Sequence, residues 1–82
     1  MSWLQSGPLP PIWPEDRYEV RSYRSPGDRG TEDRYHLAEQ AHEAVVRLRQ
    51  AGLAMQIQVI RLHDGVTLFD LMAGVDQPIE AW

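Results

Sequence analysis

The sequence predicts a small α+β domain in which one amphipathic helix packs on one face of an antiparallel sheet. A helical stripe of apolar residues, an alternating segment before it and two apolar segments around an Asp-Gly pair support this prediction. The 82 residues suffice for one domain with a modest core. We expect a proline-rich N-terminal arm (residues 1–16), a core domain (17–72) and a C-terminal tail (73–82).

The core domain is predicted to follow the order strand–helix–strand–strand, beginning with a strand over residues 18–24. Tyr18, Val20 and Ser22 alternate along this segment with three other side chains and are expected to share one face. Residues 25–30 concentrate proline, glycine and aspartate, which is typical of a loop.

The helix is predicted over residues 31–51. Thr31 is the expected N-cap, and Gly52 suits the left-handed position after the last turn. Acidic residues after Thr31 would favour the first turn through the helix dipole. The apolar stripe consists of Leu37, Ala38, Ala41, Ala44, Val45 and Leu48.

Two apolar segments, residues 55–63 and 66–72, flank Asp64-Gly65, a dipeptide that strongly favours a tight β-hairpin. A two-residue loop makes both faces of this hairpin apolar. One face carries Met55, Ile57, Val59, Leu68 and Met72, and the other carries Ile60, Leu62, Phe69 and Leu71.

A single helix covers only one face of such a hairpin. We therefore expect the face of Ile60, Leu62, Phe69 and Leu71 to be buried by the terminal arms, by a second copy or by another protein. The alternative is a β-bulge near Val59 and Ile60, which would bring these two residues toward one side of the sheet. Of the two interpretations, two-sided burial is favoured.

The three tryptophans, Trp3, Trp13 and Trp82, lie in the terminal arms. Indole rings rarely stay in water unless they dock on a surface. The N-terminal arm combines them with Leu4, Pro8, Leu9, Pro10, Pro11, Ile12 and Pro14, which is typical of an extended strap. We predict that the tryptophans are anchors, on their own domain or on a neighbour.

Composition limits the origin and the class of the protein. All eight basic residues are arginine, and lysine and asparagine, whose codons are A-rich, are absent. This bias indicates a GC-rich genome, such as that of an actinobacterium or of a phage that infects one. Without cysteine or an apolar run long enough to span a bilayer, we expect a cytoplasmic protein, or a virion protein if it comes from a phage.

No catalytic constellation is visible in the sequence, so we expect neither enzymatic activity, a cofactor nor a small-molecule substrate. Glu39 and His42 have the E-x-x-H spacing of di-iron bundles, but such a site needs carboxylates from further helices. The glycine spacing does not form a phosphate-binding loop, and no lysine could complete one.

The favoured function is a non-enzymatic protein-interaction or assembly subunit that self-associates or binds one protein. Its predicted contact residues are Trp3, Trp13, Trp82, Ile60, Leu62, Phe69 and Leu71. The alternative is a nucleic-acid accessory protein that uses the segment 17–35. Its contact residues would be Arg17, Arg21, Tyr23, Arg24 and Arg29, but the net charge of −4 and the many acidic residues among them oppose this alternative.

Overall fold

A computed structural model describes residues 15–82 of the chain. The elements within them are β1 (Tyr18–Tyr23), β2 (Thr31–Tyr35), α1 (Ala38–Ala51), β3 (Gln56–Arg61), β4 (Thr67–Asp70), β5 (Val75–Asp76) and a 3-10 helix (Ile79–Ala81). The strands form one antiparallel sheet in the order β2-β1-β3-β4-β5. The predicted α+β class is confirmed, whereas Trp3, Trp13 and the predicted strap lie outside the described residues.

The predicted helix is wrong over its first turns, because residues 31–35 form the strand β2. Helix α1 begins at Ala38, and its N-cap, Leu37, makes no capping hydrogen bond through its side chain. The Thr31 hydroxyl instead hydrogen-bonds the Ser22 hydroxyl across the β1–β2 pair, at 2.9 Å. Residues 31–34 are all polar, so a helix formed by them would have no apolar face to pack on the sheet. As a strand, they satisfy their backbone hydrogen bonds by pairing with β1.

The end of the helix follows the prediction. Gly52 has a φ of 67°, and its N–H donates to the carbonyl of Arg49 at 3.1 Å. A side chain rarely adopts this left-handed conformation, whereas glycine adopts it without strain.

The core lies between α1 and one face of the sheet, which we call the helix face. Val20 lies opposite Val59, and Ser22 opposite Ile57, so β1 and β3 present the same alternation to the helix. Ala41 and Ala44 let the helix approach the sheet closely. The buried apolar residues are Tyr18, Val20, Ala41, Ala44, Val45, Ile57, Val59, Leu68 and Phe69.

The β3–β4 connection is longer than the predicted two-residue loop. It covers residues 62–66, and the N–H of Gly65 donates to the carbonyl of Arg61 at 2.8 Å. The Asp64 carboxylate accepts hydrogen bonds from the Arg61 guanidinium, the shortest at 2.7 Å. These bonds hold Asp64-Gly65 inside a turn wider than the predicted two-residue loop.

The register shifts between Val59 and Ile60, at the position predicted for the bulge, and the two-sided apolar hairpin is wrong. The predicted consequence of the bulge is also wrong, because Val59 and Ile60 remain on opposite faces of the sheet. Val59 now lies opposite Phe69, and both belong to the core under α1. The Arg49 guanidinium of the helix lies 5.8 Å from the centre of the Phe69 ring. Because the extra residue shifts the side-chain alternation, Phe69 faces the helix while Ile60 is half-buried on the opposite face.

The C-terminal tail packs on the same domain. Strand β5 pairs with β4, and the Arg61 guanidinium donates to the carbonyl of Ala81 at 3.1 Å. The Trp82 ring lies 6.3 Å from the Tyr18 ring and 5.5 Å from the His42 ring. Trp82 therefore covers one end of its own core.

Candidate interaction site

The sheet face opposite the helix, which we call the polar face, carries a buried carboxylate. Glu19 is only 2% exposed and accepts hydrogen bonds from the guanidinium groups of Arg21 and Arg34, the latter at 3.0 Å. The bond from Arg21 is the largest influence and lowers the pKa of Glu19 below its ordinary value, although burial opposes the shift. Charge pairing therefore stabilises the part of this face formed by β1 and β2.

A second polar cluster surrounds Asp70 on the same face. The side-chain amides of Gln58 and Gln56 donate to its carboxylate at 2.9 and 2.8 Å, and the N–H of Ala73 donates at 3.0 Å. These hydrogen bonds lower the pKa of Asp70, and the bond from Gln58 makes the largest contribution. The cluster ties the end of β4 to the start of β3.

The structure does not bring the four predicted contact residues of the hairpin to one face. Phe69 is buried in the core at 5% exposure, whereas Ile60 and Leu62 are half-buried. Leu71 is exposed in the turn after β4. The bulge separates Phe69 from Ile60, and the shorter strands leave Leu62 and Leu71 in turns.

Large apolar side chains are exposed together at a different place, the end of the sheet where β1 and β4 finish and β3 begins. Two connections meet there, because the Tyr23 hydroxyl donates to the Met72 sulfur at 3.6 Å and the N–H of Met55 donates to the carbonyl of Tyr23 at 2.8 Å. Leu53 and Met72 are 59% and 60% exposed. We call this group, Tyr23, Leu53, Met55, Leu71 and Met72, the apolar end.

An open cleft of about 600 Å3 lies beside the apolar end, between the β1–β2 loop and the end of α1. Leu48, Ala51, Leu53 and Ala54 form its apolar side. The opposite side is the loop of residues 24–30, which faces them with polar and backbone groups.

Two features hold the loop wall of this cleft in place. The Asp28 carboxylate accepts a hydrogen bond from the N–H of Arg24 at 2.9 Å, and this bond is the largest cause of the lowered pKa of Asp28. Gly30 has a φ of 74°, and a Cβ there would lie 2.2 Å from the carbonyl oxygen of Ser22. Only glycine lets the loop return this closely to β1.

The apolar end was not predicted, because Met55 and Met72 were expected in the helix-facing core of longer strands. The signal that could have found it is the composition of the two connections. Residues 53–55 and 71–72 are apolar where a connection is normally polar. Apolar residues that continue past the end of a strand remain in water unless another surface covers them.

The residues predicted for nucleic-acid contact are divided among several surfaces. Arg17 lies immediately before β1, with its guanidinium 5.9 Å from the Tyr18 ring centre. Arg21 and Arg29 line a small hollow together with Tyr23, and Arg24 lines the cleft. Arg21 is already bound to Glu19, so a phosphate group would have to compete with that carboxylate.

Within residues 15–82, no group of three or more histidine, aspartate or glutamate side chains is placed to hold a metal ion. His42 contacts Trp82, and His63 lies 3.5 Å from the Asp64 carboxylate. In the same part of the chain, no helix has both the length and the apolar character needed to cross a membrane.

Comparison of the chain with known proteins finds no matching family model, no matching curated protein and no matching solved structure. The cleft and the apolar end are therefore assigned as the candidate site from their residues and geometry alone.

Proposed function

We propose that this protein is a non-enzymatic assembly subunit. The first 14 residues of its N-terminal arm dock in the cleft beside the apolar end of a neighbouring copy. The exposed apolar side of the cleft carries the proposal. Leu53, on that side, is 59% exposed, and Met55 and Met72, near the same end of the sheet, are 44% and 60% exposed. In a small domain such a gathering marks a contact surface, and flexible methionines suit the packing of an irregular partner.

The chemistry of the arm matches this cleft. Residues 1–14 contain no charged side chain and combine four prolines with Leu4, Leu9, Ile12 and two tryptophans. Proline-rich segments lose little conformational entropy on binding and dock in grooves that contain aromatic rings. Tyr23 is one of the residues that line the cleft.

The position of Glu15 favours docking on a neighbour over docking on the same domain. Glu15 lies near Leu62 and His63, at the end of the sheet opposite the cleft. Trp13 is two residues away and reaches about 7 Å at most. Strand β1, which separates the two ends, has six residues and spans about 20 Å. We therefore propose that Trp13 docks on another copy, whereas Trp3, twelve residues from Glu15, is not restricted in this way.

Sedimentation of full-length variants tests the proposal. Native protein is expected to associate, and both Leu53→Asp and the double variant Trp3→Ala/Trp13→Ala should lose this arm-dependent association. A mixture of these two variants should recover one contact, because the first supplies an intact arm and the second an intact cleft. Val66→Asp is the matched control, since Val66 is also exposed, at 43%, but lies at the other end of the sheet.

Two results would overturn the proposal. One is unchanged association when both arm tryptophans are removed, and the other is a loss with Val66→Asp equal to that with Leu53→Asp. Circular dichroism of each variant confirms that the domain remains folded.

The proposed role places the protein in the cytoplasm or, if a phage encodes it, in a virion. The neighbouring genes distinguish these locations, because a virion-assembly cluster and a bacterial operon predict different partners.

The nucleic-acid alternative has its own test. A labelled single-stranded oligonucleotide should shift at low salt and be released as salt is added if the segment 17–35 binds it.

A further inference from the structure

Strand β2 offers an edge at which another strand can pair. Within the described part of the chain it lies at one border of the sheet and pairs with β1 alone. Residues 31–34 of β2 are exposed. The opposite border strand, β5, has two residues and is followed closely by Pro78, so it presents little backbone.

The hydrogen-bond pattern shows which backbone groups of β2 face outward. The N–H of Leu62 donates to the carbonyl of Arg17, and the N–H of Leu71 donates to that of Ile57. In an antiparallel ladder, hydrogen-bonded and non-hydrogen-bonded pairs alternate, so these bonds place the backbone groups of residues 17, 19 and 21 toward β3. The backbone groups of residues 18, 20 and 22 therefore point toward β2. The facing residues of β2 are 31, 33 and 35, so the N–H and C=O groups of residues 32 and 34 point away from the sheet.

We propose that β2 pairs with β2 of a second copy, antiparallel about a two-fold axis at Asp33, so that one sheet runs through both copies. Outward backbone groups at 32 and 34 allow three two-fold registers. One places Glu32 opposite Glu32, another places Arg34 opposite Arg34, and the third places Glu32 opposite Arg34 twice. Like charges in opposed positions are destabilising, so the third register is selected.

The charges of β1 extend this match across the interface. On the polar face Arg34 lies beside Glu19, and Glu32 lies beside Arg21. In the selected register, a row across the joined sheet reads Glu19, Arg34, then Glu32 and Arg21 of the second copy. The two-fold axis generates an equivalent row, and both rows alternate in sign throughout.

Charged residues on an edge normally prevent pairing with unrelated strands. Here they restrict the partner, because only a strand with the same charge order satisfies both rows. One contact opposes the pairing: the two Asp33 side chains face each other on the helix side of the sheet. The edge is short, so the dimer is expected to be weak, with a Kd between about 1 μM and 1 mM.

Sedimentation equilibrium in the Trp3→Ala/Trp13→Ala background tests the pairing separately from arm docking. This full-length variant is expected to dimerise. Adding Glu32→Arg should raise the Kd about tenfold or more, because it places Arg opposite Arg34 at two positions. Adding Asp33→Asn should instead lower the Kd several-fold, because it removes the like-charge pair without changing the shape of the side chain.

A mixing experiment provides the strictest test. Chains with Glu32→Arg and chains with Arg34→Glu should each remain monomeric and should form a dimer when mixed, since both facing pairs between positions 32 and 34 are then of opposite charge. If Arg34→Glu does not fold, Arg34→Gln replaces it. The mixture with Glu32→Arg then keeps one opposite-charge pair, Arg34 with Glu32, and should dimerise more tightly than Glu32→Arg alone. Glu80→Arg, an equal change of charge away from β2, is the control and should leave the Kd unchanged.

Three results would overturn the inference. They are a mixture that stays monomeric, an effect of Glu80→Arg equal to that of Glu32→Arg, and a monomeric Asp33→Asn protein at about 1 mM. Dimerisation in the background without arm tryptophans supports strand pairing even if arm docking fails.

Discussion

At Glu19, burial and charge act on one carboxylate in opposite directions. Burial favours its protonated form, whereas hydrogen bonds from Arg21 and Arg34 favour its ionised form, and the net result is a lowered pKa. The two arginine side chains are 48% and 57% exposed, so water screens part of their attraction. The group is therefore expected to stabilise the fold moderately, by holding β1 and β2 together.

Replacing Glu19 by Gln is expected to lower the free energy of unfolding near neutral pH by about 1–2 kcal/mol, because two charge-assisted hydrogen bonds are weakened. Urea denaturation measures this change. Glu43→Gln is the control, since Glu43 forms an exposed i,i+4 pair with Arg47 on the helix, and it should cost less than about 0.5 kcal/mol.

The difference in free energy of unfolding between native protein and Glu19→Gln should depend on pH. The pKa of Glu19 in the fold lies below its ordinary value of 4.5, so its contribution to stability is complete above that value. It is lost as the pH falls through the lowered pKa. The difference between native protein and Glu19→Gln should therefore narrow in acid. A difference that stays constant from neutral pH into strong acid would contradict this assignment.

At the scale of elements, the bulge in the β3–β4 hairpin decides which side chains enter the core. It places Phe69 opposite Val59, under the helix, and leaves Ile60 on the polar face. In the two-sided hairpin predicted from the sequence, Phe69 lies outside the helix-facing core, so a Phe69→Asp variant would remain folded. With Phe69 in the core, we expect this substitution to unfold the domain, because it buries an unpaired carboxylate.

A milder substitution measures the same effect. Phe69→Ala is expected to lower the free energy of unfolding by about 3–5 kcal/mol through lost burial and the cavity it leaves. Leu71→Ala, two residues along the chain and 36% exposed, should cost far less. Chemical denaturation of the two variants gives the comparison, and equal costs would show that the register is not as described.

The local sequence of strand β2 fits two different secondary structures. Acidic residues after Thr31 fit the first turn of a helix as well as they fit an exposed edge strand, so the local sequence does not distinguish the two. The long-range pairing with β1 decides between them. The helix from Ala38 onward was predictable because its apolar stripe has a clear helical period.

At the scale of the whole molecule, the C-terminal tail closes the core between the sheet and α1. The indole nitrogen of Trp82 donates to the carbonyl of Gln77 at 3.0 Å, and its ring contacts Tyr18 and His42. The tail thereby links the first strand, the helix and the last turn of the chain. It functions as part of the fold, whatever further contact it makes.

Trp82→Ala is expected to lower the free energy of unfolding by about 1–2 kcal/mol, a loss of several degrees in Tm for a domain of this size. Thermal unfolding followed by circular dichroism measures this. Val66→Ala, which shortens an exposed side chain in a turn, is the control. A Tm unchanged by Trp82→Ala would mean that the tail does not stabilise the domain in solution.

The sequence by itself determined the features that depend on neighbours within about one turn of chain. These include the α+β class, the alternation of Tyr18, Val20 and Ser22, the helical stripe and the left-handed Gly52. Each follows from local periodicity or from the conformational freedom of a single residue.

Only the tertiary structure decided the features that depend on register and on strand length. A one-residue shift in a hairpin moves every later side chain to the other face, and Asp64-Gly65 alone does not specify that shift. The shift removed the predicted second apolar face and placed Phe69 in the core. The strand ends, set by pairing across the sheet, left Leu53, Met55 and Met72 exposed near one end of the sheet, and the candidate site arises from that placement.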